Sequence, residues 1–137
     1  MLIPIDLSKN VVIIKVSYDT ITTGGDYRVP TAIQLQQILS DLRTAIDAGK
    51  FQPIPRQKNK DTLSRLGLTW QDAKDEIYEL EPKHYYQGPS TDRDHPSSDK
   101  FWVFKKRVEG EVLYIKFKVL YQEDGRVKLV SFHIDEV

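Results

Sequence analysis

Three segments with alternating apolar and polar residues near the C-terminal end of the chain are the strongest constraint on its fold. They span Phe101–Val108, Glu111–Tyr121 and Val127–Ile134. The junctions between them carry Glu109-Gly110 and Asp124-Gly125, which are typical of tight hairpin turns. The pattern predicts three consecutive antiparallel strands with one apolar and one polar face.

Pairing these strands across two-residue turns predicts which residues lie opposite one another. Across the first turn, the predicted apolar pairs are Trp102 with Phe117 and Phe104 with Ile115. Across the second turn, they are Ile115 with Ile134, Phe117 with Phe132 and Val119 with Val130. A shift of one residue would turn the apolar residues of one strand to the opposite face, so this register is strongly favoured.

The other face of the same strands gathers positive charge, although Lys+Arg and Asp+Glu both number 20 and the formal net charge is zero. We call it the basic face, and its members are Lys105, Arg107, Tyr114, Lys116, Lys118, Ser131 and His133. Neighbouring like charges repel, which favours an anionic partner over a merely solvated surface. Tyrosine and histidine can also transfer protons.

The predicted register pairs the members of the basic face with one another. It places Lys105 opposite Tyr114, Lys116 opposite His133, and Lys118 opposite Ser131.

Two capped helices are predicted upstream of the strands. Thr31 and Gln34 have the spacing of a capping box, and apolar residues then recur at helical spacing until Gly49. A second helix is predicted to start at Thr69 and to end before Pro82. Each of the two helices carries an apolar stripe.

The remaining segments are interpreted as an added strand and two loops. Residues 3–18 are rich in valine and isoleucine, which predicts a strand or a hairpin. A basic run between the helices, interpreted as a solvated loop, contains Arg56, Lys58 and Lys60. Residues 83–100 are interpreted as a polar loop of a length that is often functional or mobile.

Composition excludes several classes of protein. The chain has no cysteine, which removes disulfides, thiolate metal sites and cysteine nucleophiles. His84, His95 and His133 lack zinc-site spacing, and no glycine-rich phosphate loop is present. Ser131 lacks the flanking residues of a serine hydrolase. We therefore expect neither a metal nor an organic cofactor.

Length and hydropathy indicate one compact domain. The 137 residues are the size of a single ordinary domain, and no signal peptide or membrane-spanning apolar run is predicted. We expect a cytoplasmic protein. A sequence-specific DNA-binding protein is disfavoured, because no predicted helix is rich in arginine or lysine.

Five short motifs occur in the order found in one family of toxins. They are Leu66-Gly67-Leu68-Thr69, Tyr85-Tyr86-Gln87-Gly88-Pro89, Trp102-Val103-Phe104, Leu113-Tyr114-Ile115-Lys116 and Val130-Ser131-Phe132-His133. Over about residues 33–134 the chain resembles the MqsR family, a branch of the RelE-like mRNA endoribonucleases. The resemblance implies an α+β fold in which a small twisted antiparallel sheet packs on two helices. Residues 31–137 would form that domain, and residues 1–30 would add an N-terminal strand or hairpin.

The resemblance also implies an activity, partners and catalytic residues. It implies a toxin of a type II toxin–antitoxin system that cleaves single-stranded mRNA without a metal, with a cognate antitoxin or the ribosome as protein partner. Tyr114 matches the family's active-site tyrosine, and Lys116 matches the lysine two residues later. His133 stands where one branch has lysine and others have histidine, and we assign it as general acid or base.

Further residues are predicted to bind RNA: Tyr85, Gln87, Lys105, Arg107, Lys118 and Ser131. Two positions depart from the family's pattern. Gln87 replaces an active-site lysine of one branch, and Val103 falls near that branch's glutamine. Lys105 is expected to compensate, because it lies across from Tyr114. The departures also favour an alternative, a binding module from a mobile element (for example an anti-CRISPR-like inhibitor) that grips an RNA or ribonucleoprotein without cleaving it.

Overall fold

The computed structural model describes residues 29–136. Three helices and five strands follow in the order α1 (Ala32–Asp47), β1 (Phe51–Pro53), α2 (Gln57–Leu66), α3 (Trp70–Tyr78), β2 (Tyr85–Ser90), β3 (Phe101–Val108), β4 (Glu111–Val119) and β5 (Val127–Ile134). A single 3-10 turn, Pro82–His84, connects α3 to β2. The predicted N-terminal strand or hairpin falls on residues outside the described range.

The five strands form one sheet in the order β1-β5-β4-β3-β2. The pairs among β2, β3, β4 and β5 are antiparallel, whereas β1 runs parallel to β5. The α+β fold class with a small sheet packed on helices is confirmed. The sheet is mixed rather than purely antiparallel because the short strand β1 joins its edge, and α2 is a third helix.

Both predicted helices begin where their caps indicate. The side chain of Thr31 accepts a hydrogen bond from the Gln34 backbone N–H, and the side chain of Gln34 accepts one from the Thr31 backbone N–H. Thr69 and Asp72 form the same reciprocal cap on α3. Each pair satisfies backbone N–H groups that would otherwise lack a partner at the helix start. α3 ends at Tyr78, earlier than the predicted end before Pro82.

The core lies between the apolar face of the sheet and the helices. Phe104, Phe117 and Phe132 are fully buried, and the rings of Phe104 and Phe117 stack with centroids 5.8 Å apart. The buried stripe of α1 contributes three leucines to the same cluster, Leu35, Leu39 and Leu42. This packing leaves the opposite face of β3, β4 and β5 for the polar side chains.

The first predicted hairpin is confirmed residue by residue. Trp102 pairs with Phe117, Phe104 with Ile115, and Lys105 with Tyr114. Glu109 and Gly110 form the two-residue turn, with φ values of 50° and 82°. Positive φ at both positions is what a turn matching the right-handed strand twist requires.

The predicted register of the second hairpin is wrong by two residues at Ile115 and by three at Phe117 and Val119. Ile115 pairs with Phe132 rather than Ile134, and Phe117 pairs with Leu129 rather than Phe132. Val119 pairs with Val127 rather than Val130. The pairs of the polar face move with them: Tyr114 lies opposite His133, Lys116 opposite Ser131, and Lys118 opposite Lys128.

Two physical features cause this shift. β4 ends at Val119, so residues 120–126 form the connection instead of Asp124-Gly125 alone. Within it, the Leu120 N–H donates to the Arg126 carbonyl and the Gly125 N–H donates to the Leu120 carbonyl. A bulge then adds Val130 to β5, between the Lys116 and Phe117 rungs of β4.

The segment interpreted as a solvated basic loop is the helix α2, with Arg56 at its N-cap and Lys58 and Lys60 in its first turns. α2 covers the part of the β5 edge that β1 is too short to pair. The Asn59 side chain donates to the carbonyls of Ile54 and Val130 and accepts from the Phe132 N–H, each at 3.0 Å. Asn59 is fully buried. Its side chain satisfies backbone groups of β5 that a neighbouring strand would otherwise pair.

The segment interpreted as one polar loop, residues 83–100, contains the strand β2. Its pairing with β3 is irregular, with register shifts on both sides of Gln87. The strand brings Tyr86 and Gln87 beside the basic face, where the site is built.

Candidate functional site

The corrected register assembles a row of side chains across the sheet. Lys105 of β3 lies opposite Tyr114 of β4, and Tyr114 lies opposite His133 of β5. The Tyr114 and His133 rings are stacked, with centroids 5.3 Å apart and planes 15° from parallel. A potential proton acceptor and a phenolic hydroxyl are therefore held side by side by backbone pairing.

The hydrogen bond of His133 determines which ring nitrogen can accept a proton. Its Nδ1 lies 3.1 Å from the carbonyl oxygen of Ile134. A carbonyl only accepts, so in the neutral ring the Nδ1 atom carries the hydrogen and Nε2 is the proton acceptor. The half-buried side chain borders a small pocket that is also lined by Lys58, Thr62 and Arg65 of α2.

Lys105 is fixed by a carboxylate outside the predicted set of site residues. Its Nζ lies 2.7 Å from Asp135 Oδ2. The hydrogen bond to Asp135 raises the pKa of Lys105, which keeps the ammonium charged beside Tyr114. The sequence does indicate that Asp135 lies on the basic face, because it follows His133 by two residues and strand alternation points both side chains to one face.

Lys116 has a different environment from the other lysines of the basic face. It is half-buried opposite Ser131, and its Nζ lies 4.4 Å from the centre of the Phe101 ring. Within residues 29–136, no carboxylate oxygen lies within 4.0 Å of this ammonium. Lys116 is therefore the cation best placed to take an external anion. Val103 lies opposite Lys116 on the neighbouring strand and is buried, so it offers this row no polar group.

Ser131 is buried and is not exposed to a ligand. Its Oγ accepts a hydrogen bond of 3.0 Å from Arg56, which also donates to the Val130 carbonyl at 3.2 Å. Ser131 thus holds Arg56 in place, and its predicted contact with RNA stays a prediction. The guanidinium that it holds belongs to the N-cap of α2, and sequence spacing alone offers no signal that Arg56 reaches β5.

Lys118 is also buried, and it is ion-paired, so its predicted contact with RNA stays a prediction. Its Nζ lies 3.0 Å from Asp92 Oδ2 and 3.1 Å from Ser98 Oγ, and 4.4 Å from the Phe101 ring centre. Lys118 thus attaches the connection between β2 and β3, residues 91–100, to one end of the basic face.

Of the remaining residues predicted to bind RNA, one packs against the core and two are exposed. Tyr85 is half-buried and packs edge-on against Trp102 and Phe104 of the core, and its hydroxyl donates to the Gly88 carbonyl at 2.6 Å. Gln87 is exposed on β2. Arg107 is exposed at the end of β3, where it donates to the Gly110 carbonyl at 3.2 Å.

Asp92→Asn is expected to release residues 91–100 from the sheet. The hydrogen bond from Lys118 lowers the pKa of Asp92, so this attachment is present above the ordinary carboxyl pKa of about 3.9 and is lost as the pH falls through the lowered value. At neutral pH, the variant should be cut by trypsin after the exposed Arg93 or Lys100 roughly tenfold faster than the wild type. Asp94→Asn, at an exposed neighbouring carboxylate, is the control, and equal cleavage rates for all three proteins would disprove the attachment.

Two features are absent from the described part of the chain. Residues 29–136 contain no group of three or more histidine or acidic side chains placed to hold a metal ion. Within the same residues, no helix combines the length and apolar character required to cross a bilayer.

Fold and site together define a small α+β protein with a tyrosine–histidine pair and a lysine cluster on one sheet face. The family model described as "Motility quorum-sensing regulator, toxin of MqsA" matches residues 36–134. The chain therefore belongs to the MqsR toxin family, as the motif order predicted, and is a toxin of a toxin–antitoxin system. A search of curated proteins finds no match to the chain.

Proposed function

We propose that the chain is a metal-independent endoribonuclease that cleaves single-stranded RNA on the basic face. The observation that carries the proposal is the stacked pair of Tyr114 and His133, with Lys105 beside the tyrosine and the ammonium of Lys116 in the adjacent row. A proton acceptor, a hydroxyl donor and two cations are the groups that RNA cleavage by its own 2′-hydroxyl requires.

The steps assign one role to each group. His133 Nε2 takes the proton of a ribose 2′-hydroxyl, and the resulting oxygen attacks the adjacent phosphorus. The bond to the 5′-oxygen of the next nucleotide breaks, and that oxygen receives a proton from the Tyr114 hydroxyl. Lys116 and Lys105 stabilise the added negative charge on the phosphoryl oxygens. The products are a 2′,3′-cyclic phosphate and a 5′-hydroxyl.

The charge distribution supports RNA rather than a folded anionic protein as substrate. Lys116, Arg56 and Arg107 present cations along the face at different strand positions, which suits a phosphate chain. Gln87 is exposed on the edge strand β2, where its amide can bind a base edge or a phosphate. The family implies an antitoxin as the protein partner, and its binding to this chain is part of the proposal.

Incubation of the purified full chain with a single-stranded RNA containing every trinucleotide, in EDTA, tests the activity. We expect discrete cuts at a subset of trinucleotides, and growth arrest when the chain is expressed without an antitoxin. Salt-sensitive binding with no RNA product would instead support the alternative binding module.

Lys116→Gln is expected to weaken RNA binding at every sequence to a similar degree. Because one phosphate contact is lost, the slope of log affinity against log salt should fall by about 0.7 for single-stranded RNA. Filter binding at four salt concentrations measures this slope. Lys50→Gln, at an exposed lysine between α1 and β1, is the matched control and should leave the slope unchanged. Equal slopes for Lys116→Gln and the wild type would remove Lys116 from the proposed site.

A further inference from the structure

One exposed aromatic ring borders the basic face and has no role in the steps above. Tyr86 is 53% exposed on β2, whereas its neighbour Tyr85 points into the core. The Tyr86 ring contacts Lys105 of the basic face, and the register of β2 shifts between Tyr85 and Gln87. Tyr86 therefore lies on the side of the sheet that carries Lys105 and Tyr114.

The ring is held by the lysine of the site. Lys105 Nζ lies 3.8 Å from the centre of the Tyr86 ring, and Asp135 fixes the same ammonium at 2.7 Å. A cation at this distance from a ring centre is attracted by the electron-rich face. The contact orients Tyr86 while more than half of its surface remains exposed.

Other exposed tyrosines in the described residues have a different explanation. The hydroxyl of Tyr78 donates to Asp47, and that of Tyr121 donates to Asp41, so each is bonded to a carboxylate of α1. Tyr86 instead contacts a lysine of the candidate site. Its exposure and orientation suit a ligand with a flat, unsaturated ring.

We propose that Tyr86 is a stacking platform for an unpaired nucleobase of RNA bound on the basic face. This inference rests on the proposed function. Neighbouring strands are about 4.8 Å apart, so three strand spacings place Tyr86 roughly 14 Å from His133. The stacked base thus belongs to a nucleotide beside the reacting one, and Tyr86 contributes to affinity rather than to proton transfer. Base stacking on an aromatic side chain accepts any base, so the platform adds little sequence preference.

The test is binding of a single-stranded 2′-fluoro RNA that carries 2-aminopurine at successive positions. This probe lacks the attacking hydroxyl, and the fluorescence of 2-aminopurine falls when the base stacks. With the wild-type full chain, we expect quenching at one position. Tyr86→Leu should abolish that quenching and raise the Kd about 5- to 150-fold, the range measured when an aromatic stacking partner is truncated. Tyr86→Phe should retain both properties, and Tyr78→Leu is the matched control at a distant exposed tyrosine.

Equal affinity and quenching for Tyr86→Leu and wild type would overturn the platform, as would the absence of probe binding by the wild-type chain. The two proposals fail separately. Cleavage of natural RNA by the wild type with no Tyr86-dependent quenching overturns only the platform. Tyr86-dependent quenching with no cleavage of natural RNA overturns only the proposed reaction. His133→Ala should still quench the probe, because its ring is not part of the platform.

Discussion

His133→Ala is expected to lower the rate of RNA cleavage by about 10²- to 10⁴-fold, the usual contribution of a positioned proton acceptor. The side chain lost is the one whose Nε2 accepts the 2′-hydroxyl proton, and its removal also exposes one face of the Tyr114 ring. The measurement is the single-turnover rate on a fixed RNA with enzyme in excess, which separates the chemical step from binding.

His95→Ala is the matched control, because His95 is exposed in the connection between β2 and β3, outside the strands that carry the proposed catalytic residues. Tyr114→Phe adds a second comparison, since it keeps the stacked ring and removes only the hydroxyl. Both His133→Ala and Tyr114→Phe should fold and bind RNA. A His133→Ala rate within about twofold of the wild type would contradict the assignment of His133.

Asn59→Ala is expected to cause a large loss of stability, although the residue is polar. It leaves the carbonyls of Ile54 and Val130 and the N–H of Phe132 without their partner in a fully buried position. Three lost buried hydrogen bonds should lower the free energy of unfolding by about 3 kcal/mol, which corresponds to a fall in Tm on the order of 10 °C.

Thermal unfolding followed by circular dichroism measures the effect. Asn59→Asp keeps an acceptor for Phe132 but removes both donated bonds, so it should destabilise the fold by at least as much. Lys60→Ala, at the next and exposed position of α2, should change the Tm little. A Tm for Asn59→Ala close to that of Lys60→Ala would show that α2 does not replace a strand at the β5 edge.

Local sequence signals predicted the parts of the fold that depend on neighbouring residues. Both capping boxes, the Glu109-Gly110 turn and the β3–β4 register were confirmed because each follows from a few adjacent side chains. The same register placed Lys105 across from Tyr114 correctly. The family was also predicted, from the order of five motifs.

The parts of the fold that were not predicted from the sequence depend on long-range contacts. The bulge at Val130 is favoured by the pairing of β4 and β5, and no turn signal at Asp124-Gly125 indicates it. α2 has few apolar residues, and its fully buried Asn59 binds strand β5, more than 70 residues away in the chain. A polar residue between basic ones therefore favours a loop when only the local sequence is considered. The partner that buries it is distant in the chain.

Burial also distinguishes residues of the basic face that follow the same sequence pattern. Lys118 and Ser131 alternate with core residues in the sequence just as Lys116 and His133 do, but Asp92 and Arg56 reach them from other segments. Alternation predicts a face and does not predict what covers it. Asp135, by contrast, was accessible to the same alternation argument, whereas Tyr86 lies in a segment that was interpreted as a loop.

The central claim is that the basic face uses the RNA's own 2′-hydroxyl as the nucleophile. The most direct test is to map one cleavage position and to repeat the reaction in EDTA on an RNA with a single 2′-deoxynucleotide on the 5′ side of that phosphate. We predict fragments with a 2′,3′-cyclic phosphate and a 5′-hydroxyl from the natural RNA, and no cut at the substituted position. Cleavage of the substituted RNA, or products with a 3′-hydroxyl and a 5′-phosphate, would contradict the account.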